Sequence, residues 1–271
     1  ANVSLAEVKE ITRATDTTVN DVVLAVSSAA LRRYLADENC RPAKPLIAGV
    51  PVSLREAGNT DLNNQVSMMF VGLATDIKDP LERLAAIHTN AIAAKEVTGK
   101  VKTAIPMDFP SFGAPWLMSG LASLYGRSRI ANVIPPMANV AISNVPGSPV
   151  PLYLAGAKVA TYHPVSIPGH GVALNITVQS YNGVLGFGLT ACRRAVPDPQ
   201  ALAAYLASAT AELLAAVRAT QVAEKAPQSN DQRKENRIGT SLPLARQSRR
   251  APARRKPVGS HRASQGSAQR S

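Results

Sequence analysis

The apolar positions of this chain change period several times, and each change marks an element. Leu5, Val8 and Ile11 recur at helical spacing behind Ser4, and Glu7 stands three residues after Ser4 as in a capping box. Residues 4 to 14 are therefore predicted to form a short amphipathic helix. Thr18 stands in the same relation to Asp21, and Val22, Val23, Val26, Ala29, Ala30 and Leu31 carry one apolar face onward to about Asp37, which predicts a second and stronger helix. The period then shortens. LIAGVPVSL at residues 46 to 54 and QVSMMFVGLAT from Gln65 are aliphatic and free of charge, as buried strands are, and the polar loop REAGNTDLNN separates them. Asp79-Pro80 supplies an N-cap with proline in the first turn, ahead of Leu81, Leu84, Ala85, His88 and Ile92 at helical spacing toward Glu96. Asp198-Pro199 repeats the device before a final helix marked by Leu202, Tyr205, Leu206, Leu213 and Leu214 and expected to end near Val217.

Between those last two helices the chain almost loses its charge. From residue 130 to residue 192 only Lys158 is Asp, Glu, Lys or Arg, where the 18% overall content would put about eleven. Prolines 135, 136, 146, 149, 151, 164 and 168 break the stretch, so no uninterrupted apolar helix of about 20 residues fits within it. ANVAISNV, VALNITVQSY and VLGFGLTAC alternate as strands do, and Asn182-Gly183 is a two-residue hairpin signal. The expectation is one buried sheet. The fold class is α+β, a mixed sheet with packed helices, in a body of residues 1 to 222.

Composition changes the picture mainly at the C-terminal end. The formal net charge of +12 taken alone suggests a protein that binds polyanions. Residues 224 to 271, however, hold 12 Lys+Arg against 3 Asp+Glu, which leaves the body close to neutral. Residues 223 to 271 form a basic, low-complexity tail with no apolar period, expected to be disordered because it can bury too little surface to offset its ordering entropy. Three readings stay open for it: a solvated tail, attachment to an anionic membrane or lipid-droplet surface, or a change of reading frame past the true helix end. No aromatics interleave its charges, so nucleic acid is disfavoured. Cys40 and Cys192 are too far apart for a ligand or redox spacing, which fits a reducing cytoplasmic setting. The opening residues lack the charge and apolar run of a secretory signal, and without an initiator Met the chain reads as a fragment of something longer.

Candidate chemistry is sparse. Gly186, Gly188 and Ala191 imitate a dinucleotide fingerprint but sit within a strand, and no nucleophile elbow or phosphate loop is present. His88 falls on the apolar face of a helix, where a satisfied core histidine is the ordinary role. His163 and His170 flank the loop HPVSIPGH, as cavity-lining residues would, without a carboxylate close in sequence to orient either ring. Asn20-Asp21 opens the best helix, and capping accounts for Asp21. Ser143, Asn144 and Gly147 end a strand with polar groups that need partners; a simple strand exit and a ligand-side site both account for them.

TVNDVVLAVSSAALRRYL, VPVSLR, QVSMMFVGLAT, AISNVPG and GHGVALNITVQSYNGVLGFG, in that order, resemble the C-terminal half of the bacterial wax ester synthase/acyl-CoA:diacylglycerol acyltransferase family over residues 4 to 218. The resemblance implies one lobe of a chloramphenicol-acetyltransferase/condensation-domain-like fold. It also implies acyl-CoA as co-substrate, no other cofactor and no metal, and transfer of the acyl group to diacylglycerol or a long-chain alcohol through an apolar tunnel. The family's Asn-Asp motif maps onto Asn20 and Asp21 as a structural motif, and its strand exit near the tunnel onto Ser143, Asn144 and Gly147. Its HHxxxDG motif, whose second histidine is the general base, has no counterpart here. The implied arrangement is a scaffold-and-tunnel lobe, weak or inactive alone, with the base on a separate N-terminal lobe chain or lost. The other reading is a non-enzymatic lobe that binds lipids or partners, held at anionic surfaces by its tail.

Overall fold

Ser4 and Thr18 cap the first two helices as their spacing predicts. The Ser4 hydroxyl accepts the Glu7 amide ahead of α1 (Leu5–Thr15), and Thr18 and Asp21 form a reciprocal capping box ahead of α2 (Val19–Asp37). The computed structural model describes residues 1–53, 66–102, 137–168 and 171–225. The expected polar loop at 55–64, the start of the charge-free stretch, His170, His261 and residues 226–271 lie outside the described residues. α3 (Pro80–Lys102) and α4 (Pro199–Lys225) begin where Asp79 and Asp198 accept the first-turn amides. α4 continues eight residues past Val217 and through the boundary expected at residue 222. Alanines, which have the highest helix propensity, sustain it with little apolar periodicity to mark its end.

The strands are β1 (Asn2–Ser4), β2 (Ile47–Ser53), β3 (Val66–Gly72), β4 (Val140–Val145), β5 (Tyr153–Leu154), β6 (Ala157–Lys158), β7 (Leu174–Tyr181) and β8 (Val184–Ala191). Six of them make a mixed sheet in the order β1-β8-β7-β4-β2-β3, with β2, β4 and β7 mutually parallel at its centre. The β7–β8 hairpin turns at Asn182 and Gly183 with φ of 46° and 82°, as a type I′ turn requires.

Register divides the sheet into two unlike faces. Val71 opposes Ala48, which opposes Val140, and Ile142, Ile176 and Leu189 line up across three strands. These rows face the helices and merge with Ile11, Val22, Leu84, Ile87, Leu202 and Leu206 into one core. Each such side chain contributes about 1.5–3 kcal/mol by leaving water. α4 is long and apolar enough by composition to cross a membrane, but Leu202, Leu206, Leu213 and Val217 are buried in this core. Arg218 and Glu10 join α4 to α1 through a two-pronged ion pair of 2.7 and 2.8 Å, which holds the Glu10 carboxyl below its ordinary pKa.

The expectation of uniformly buried strands is corrected on the other face. Met68 and Phe70 are 46% and 39% exposed, because β3 is an edge strand and the helices cover only its alternate residues. The charge-free stretch is likewise not one buried sheet. β5 and β6 form a separate hairpin whose four residues are all exposed, and Val165 and Ile167 are more than four-fifths exposed. Lack of charge there marks an apolar surface rather than an interior.

Two strand glycines are explained by what crosses them. A Cβ at Gly188 would stand 1.7 Å from the Pro164 carbonyl oxygen, and one at Gly186 would stand 2.6 Å from that of Tyr162. The imitation fingerprint is thus a place where the 162–164 backbone lies directly on β8. Gly188→Ala is expected to lower unfolding stability in urea by about 2 kcal/mol or more. Gly99→Ala, in α3 with open space around it, should raise it by up to about 1 kcal/mol. Equal effects of the two changes would contradict this packing.

Candidate functional site

Asp21 is 3% exposed, and a carboxylate so deeply placed needs several donors. Its Oδ2 accepts the Thr18 amide at 2.9 Å and the Thr18 hydroxyl at 2.8 Å, and His88 Nδ1 lies 2.8 Å away. A carboxylate oxygen can only accept, so Nδ1 carries a proton, and in the neutral ring Nε2 keeps the lone pair. His88 is about one-third exposed on its side chain, so it is not the fully enclosed core histidine its helical position suggested. The signal for its role lay in the pair rather than in either residue, since 67 positions separate them. Asn20 is half-buried beside this cap, and its side chain has no hydrogen bond among the described residues.

Further along α2, side chains reach the segment after β3. Ser28 and Arg32, in the later half of α2, donate to the carbonyls of Leu73 and Thr75 just past the end of β3. Seven residues, about 10 Å of helix, separate Asp21 from Ser28, and Asp21's partner His88 stands two residues before Asn90, which donates to the Gly72 carbonyl at the end of β3. Ser143 and Asn144 lie at the end of β4 and Gly147 just beyond it, but they do not act as one cluster. Strand alternation turns Asn144 to the helical face with Ile142 and Ser143 to the open face. Gly147 has a steric role: its amide takes the Ser180 hydroxyl as acceptor at 2.9 Å, and a Cβ there would meet the Ser180 carbonyl at 2.0 Å.

Ser143 instead joins residues that the motif search passed over. It is in register with Thr177, whose hydroxyl donates to Asn175 Oδ1 at 2.8 Å, and Asn175 Nδ2 donates in turn to Ser166 Oγ at 3.3 Å. The polar track Ser143, Thr177, Asn175 and Ser166 runs across the open face. Its signal was present in LNITVQSY, where Asn175, Thr177 and Gln179 alternate with buried Leu174, Ile176 and Val178. Ile47, Phe70, Met68 and Val145 stand on the same face, each about 40% exposed, and add an apolar strip beside the track. His163 lies in the segment that crosses β8 and is exposed; it has no carboxylate partner among the described residues. No group of three metal-ligating side chains occurs among the described residues.

Removing either member of the Asp21–His88 pair should weaken the joint between α2 and α3. We expect Asp21→Ala to cost about 3 kcal/mol and His88→Ala about 1–2 kcal/mol in chemical denaturation, with a coupling of about 1 kcal/mol in the double-mutant cycle. Strict additivity would show that the contact does not tie the helices.

The WS/DGAT C-terminal domain family matches residues 62–214. A Mycobacterium tuberculosis protein named as a diacylglycerol O-acyltransferase is 39% identical over 213 residues, which are 79% of this chain and 46% of that protein. The O-acyltransferase WSD of Acinetobacter baylyi is 40% identical over 204 residues, 73% of this chain and 42% of its own. Among solved structures, a wax ester synthase/diacylglycerol acyltransferase from Marinobacter aquaeolei is 36% identical, with a TM-score of 0.59 over 80% of this chain and 48% of that one. The chain thus spans about half the length of the relatives it matches. The order of motifs, the mixed sheet with its helical layer and these identities agree: the chain belongs to the wax ester synthase/diacylglycerol acyltransferase family, in its C-terminal domain.

Proposed function

We propose that this chain is the C-terminal lobe of an O-acyltransferase that moves a fatty acyl group from acyl-CoA to diacylglycerol or a long-chain alcohol. The observation that carries the reading is its 36% identity, over 80% of its length, to a wax ester synthase/diacylglycerol acyltransferase whose backbone it follows. In the reaction the acceptor oxygen attacks the thioester carbonyl, the new C–O bond replaces the C–S bond, and the hydroxyl proton passes through a base to the departing thiolate. Acyl-CoA enters as co-substrate and coenzyme A leaves as the free thiol, and no metal or further cofactor is invoked.

The open face supplies the wall for this chemistry. Its apolar strip receives the acyl chain at about 0.8 kcal/mol per buried methylene. The polar track through Ser143 and Thr177 marks where the ester or hydroxyl end lies. Asn20 and Asp21 hold the geometry of the helical layer, and Asn144 and Gly147 shape the strand exit. His163 and His170 stay candidates for the substrate side only. No adjacent histidines exist in the sequence, so the base is assigned to a separate N-terminal lobe bearing HHxxxDG. We place the chain in the cytoplasm, with its basic tail drawing it to anionic membrane or lipid-inclusion surfaces.

The missing motif also favours a second reading, a lobe that binds lipids without turning them over. Thiol release from acyl-CoA separates the two. The 271-residue chain alone should be about 10² to 10⁴ slower than the chain mixed with an N-terminal lobe, since a positioned base is worth that much. No gain on mixing would end the enzymatic reading. Phe70→Glu, at an exposed position, should leave the fold intact and lower kcat/KM for long-chain acyl-CoA about tenfold while sparing short-chain acyl-CoA. Uniform loss across chain lengths would move the acyl chain elsewhere. Replacing Arg249, Arg250, Arg254 and Arg255 by Gln should reduce flotation with vesicles containing an anionic lipid, and unchanged flotation would remove the tail from membrane attachment.

A further inference from the structure

A cleft of about 270 Å³ opens between α2, α4 and the turn before α3, and its lining is dominated by one sign of charge. Arg32, Arg33, Arg41, Lys78 and Arg83 face it against a single lining carboxylate, Glu212. None of the five cations is in an ion pair among the described residues. Their side chains are held instead by neutral groups. Arg32 donates to the carbonyls of Thr75 and Asp76, Arg83 donates to those of Ile77 and Lys78, and the Arg33 guanidinium stacks 4.4 Å from the Tyr205 ring centroid. Two nearby carboxylates are engaged elsewhere: Asp37 accepts the Tyr205 hydroxyl and Asp79 caps α3. At the floor, Arg83 is 4% exposed and its Nε is buried without a hydrogen-bond partner.

Fixed guanidiniums with unspent charge are unfavourable until an anion arrives. Burial already holds Arg32 and Arg83 below their ordinary pKa; the repulsion of Arg41 adds to this on Arg32, whereas the attraction of Glu212 opposes it on Arg83. A compact dianion with three terminal oxygens can take donors from several such groups at once and brings twice the charge of a single carboxylate. We propose that this cleft is a binding site for a phosphate monoester, either a soluble one or the headgroup of a lipid. It is separate from the acyl-transfer face, since its lining residues belong to the helical layer, on the opposite side of the sheet from Ser143 and Thr177.

The test is calorimetric titration of the full chain with inorganic phosphate at low ionic strength, beside flotation with phosphatidylcholine vesicles with and without phosphatidic acid. Arg41 and Lys78 are exposed rim residues, so R41Q/K78Q should fold as the parent does, and R33Q serves as a second variant. We expect saturable binding that R41Q/K78Q weakens about tenfold or more, while glutamines at Arg249, Arg250, Arg254 and Arg255 in the tail leave it unchanged. If R41Q/K78Q also lowers phosphatidic-acid-dependent flotation, the ligand is a lipid headgroup; if flotation is unmoved, it is a soluble ester. Absence of phosphate binding, or binding lost only with the tail arginines, overturns the proposal.

Discussion

A β-strand presents alternate residues to opposite sides, and among the described residues the helices cover only one side of this sheet, the other being crossed at β8 by the 162–164 segment. Every other feature follows from that. The covered side needs aliphatic residues in register across all six strands, and Ala48, Val140, Ile142 and Ile176 supply them at near-zero exposure. The side without helices is released from that demand and carries a mixture of polar and apolar residues: Ser143, Thr177 and Asn175 on the same face as the exposed Phe70 and Met68. Such a mixture suits a ligand with a polar end and a long apolar one, which is the substrate class of the family.

The helical layer is kept in place by polar contacts set into an otherwise apolar interface. Asp21 gathers Thr18 and His88, Ser28 reaches the Leu73 carbonyl, and Asn90 Nδ2 donates to the Gly72 carbonyl on the edge strand. Apolar packing alone lets helices slide, because many side-chain arrangements have similar energy. Directed hydrogen bonds between α2, α3 and the end of β3 remove that freedom. The open face is therefore presented at a fixed angle to whatever covers it.

Much of this was readable in the residue order, for reasons that are local. Caps at Ser4, Thr18, Asp79 and Asp198 depend on neighbours within three positions, and the Asn182-Gly183 turn depends on two residues. Strand identity at β4, β7 and β8 followed from period-two alternation. What failed was anything set by a partner distant in sequence. The exposure of Met68 and Phe70 depends on β3 lying at an edge, and the exposed β5–β6 hairpin looked like core because it lacks charge. His88 found its carboxylate 67 residues away. The motif Ser143-Asn144 read as one site, yet a strand places its two side chains on opposite faces.

The parallel pairing of β2, β4 and β7 also governs how the chain reaches this state. β2 and β4 are in register at Ala48 and Val140, so the middle of the sheet closes only after some ninety intervening residues have been brought round. Contacts of such long range are late and slow compared with the α1–α2 pair or the β7–β8 hairpin. Until they form, β2 and β3 stand as an isolated two-stranded ribbon with Phe70 and Met68 in water, a species prone to self-association. The kinetic hazard of this architecture is thus concentrated in the same two strands that later furnish its exposed apolar strip.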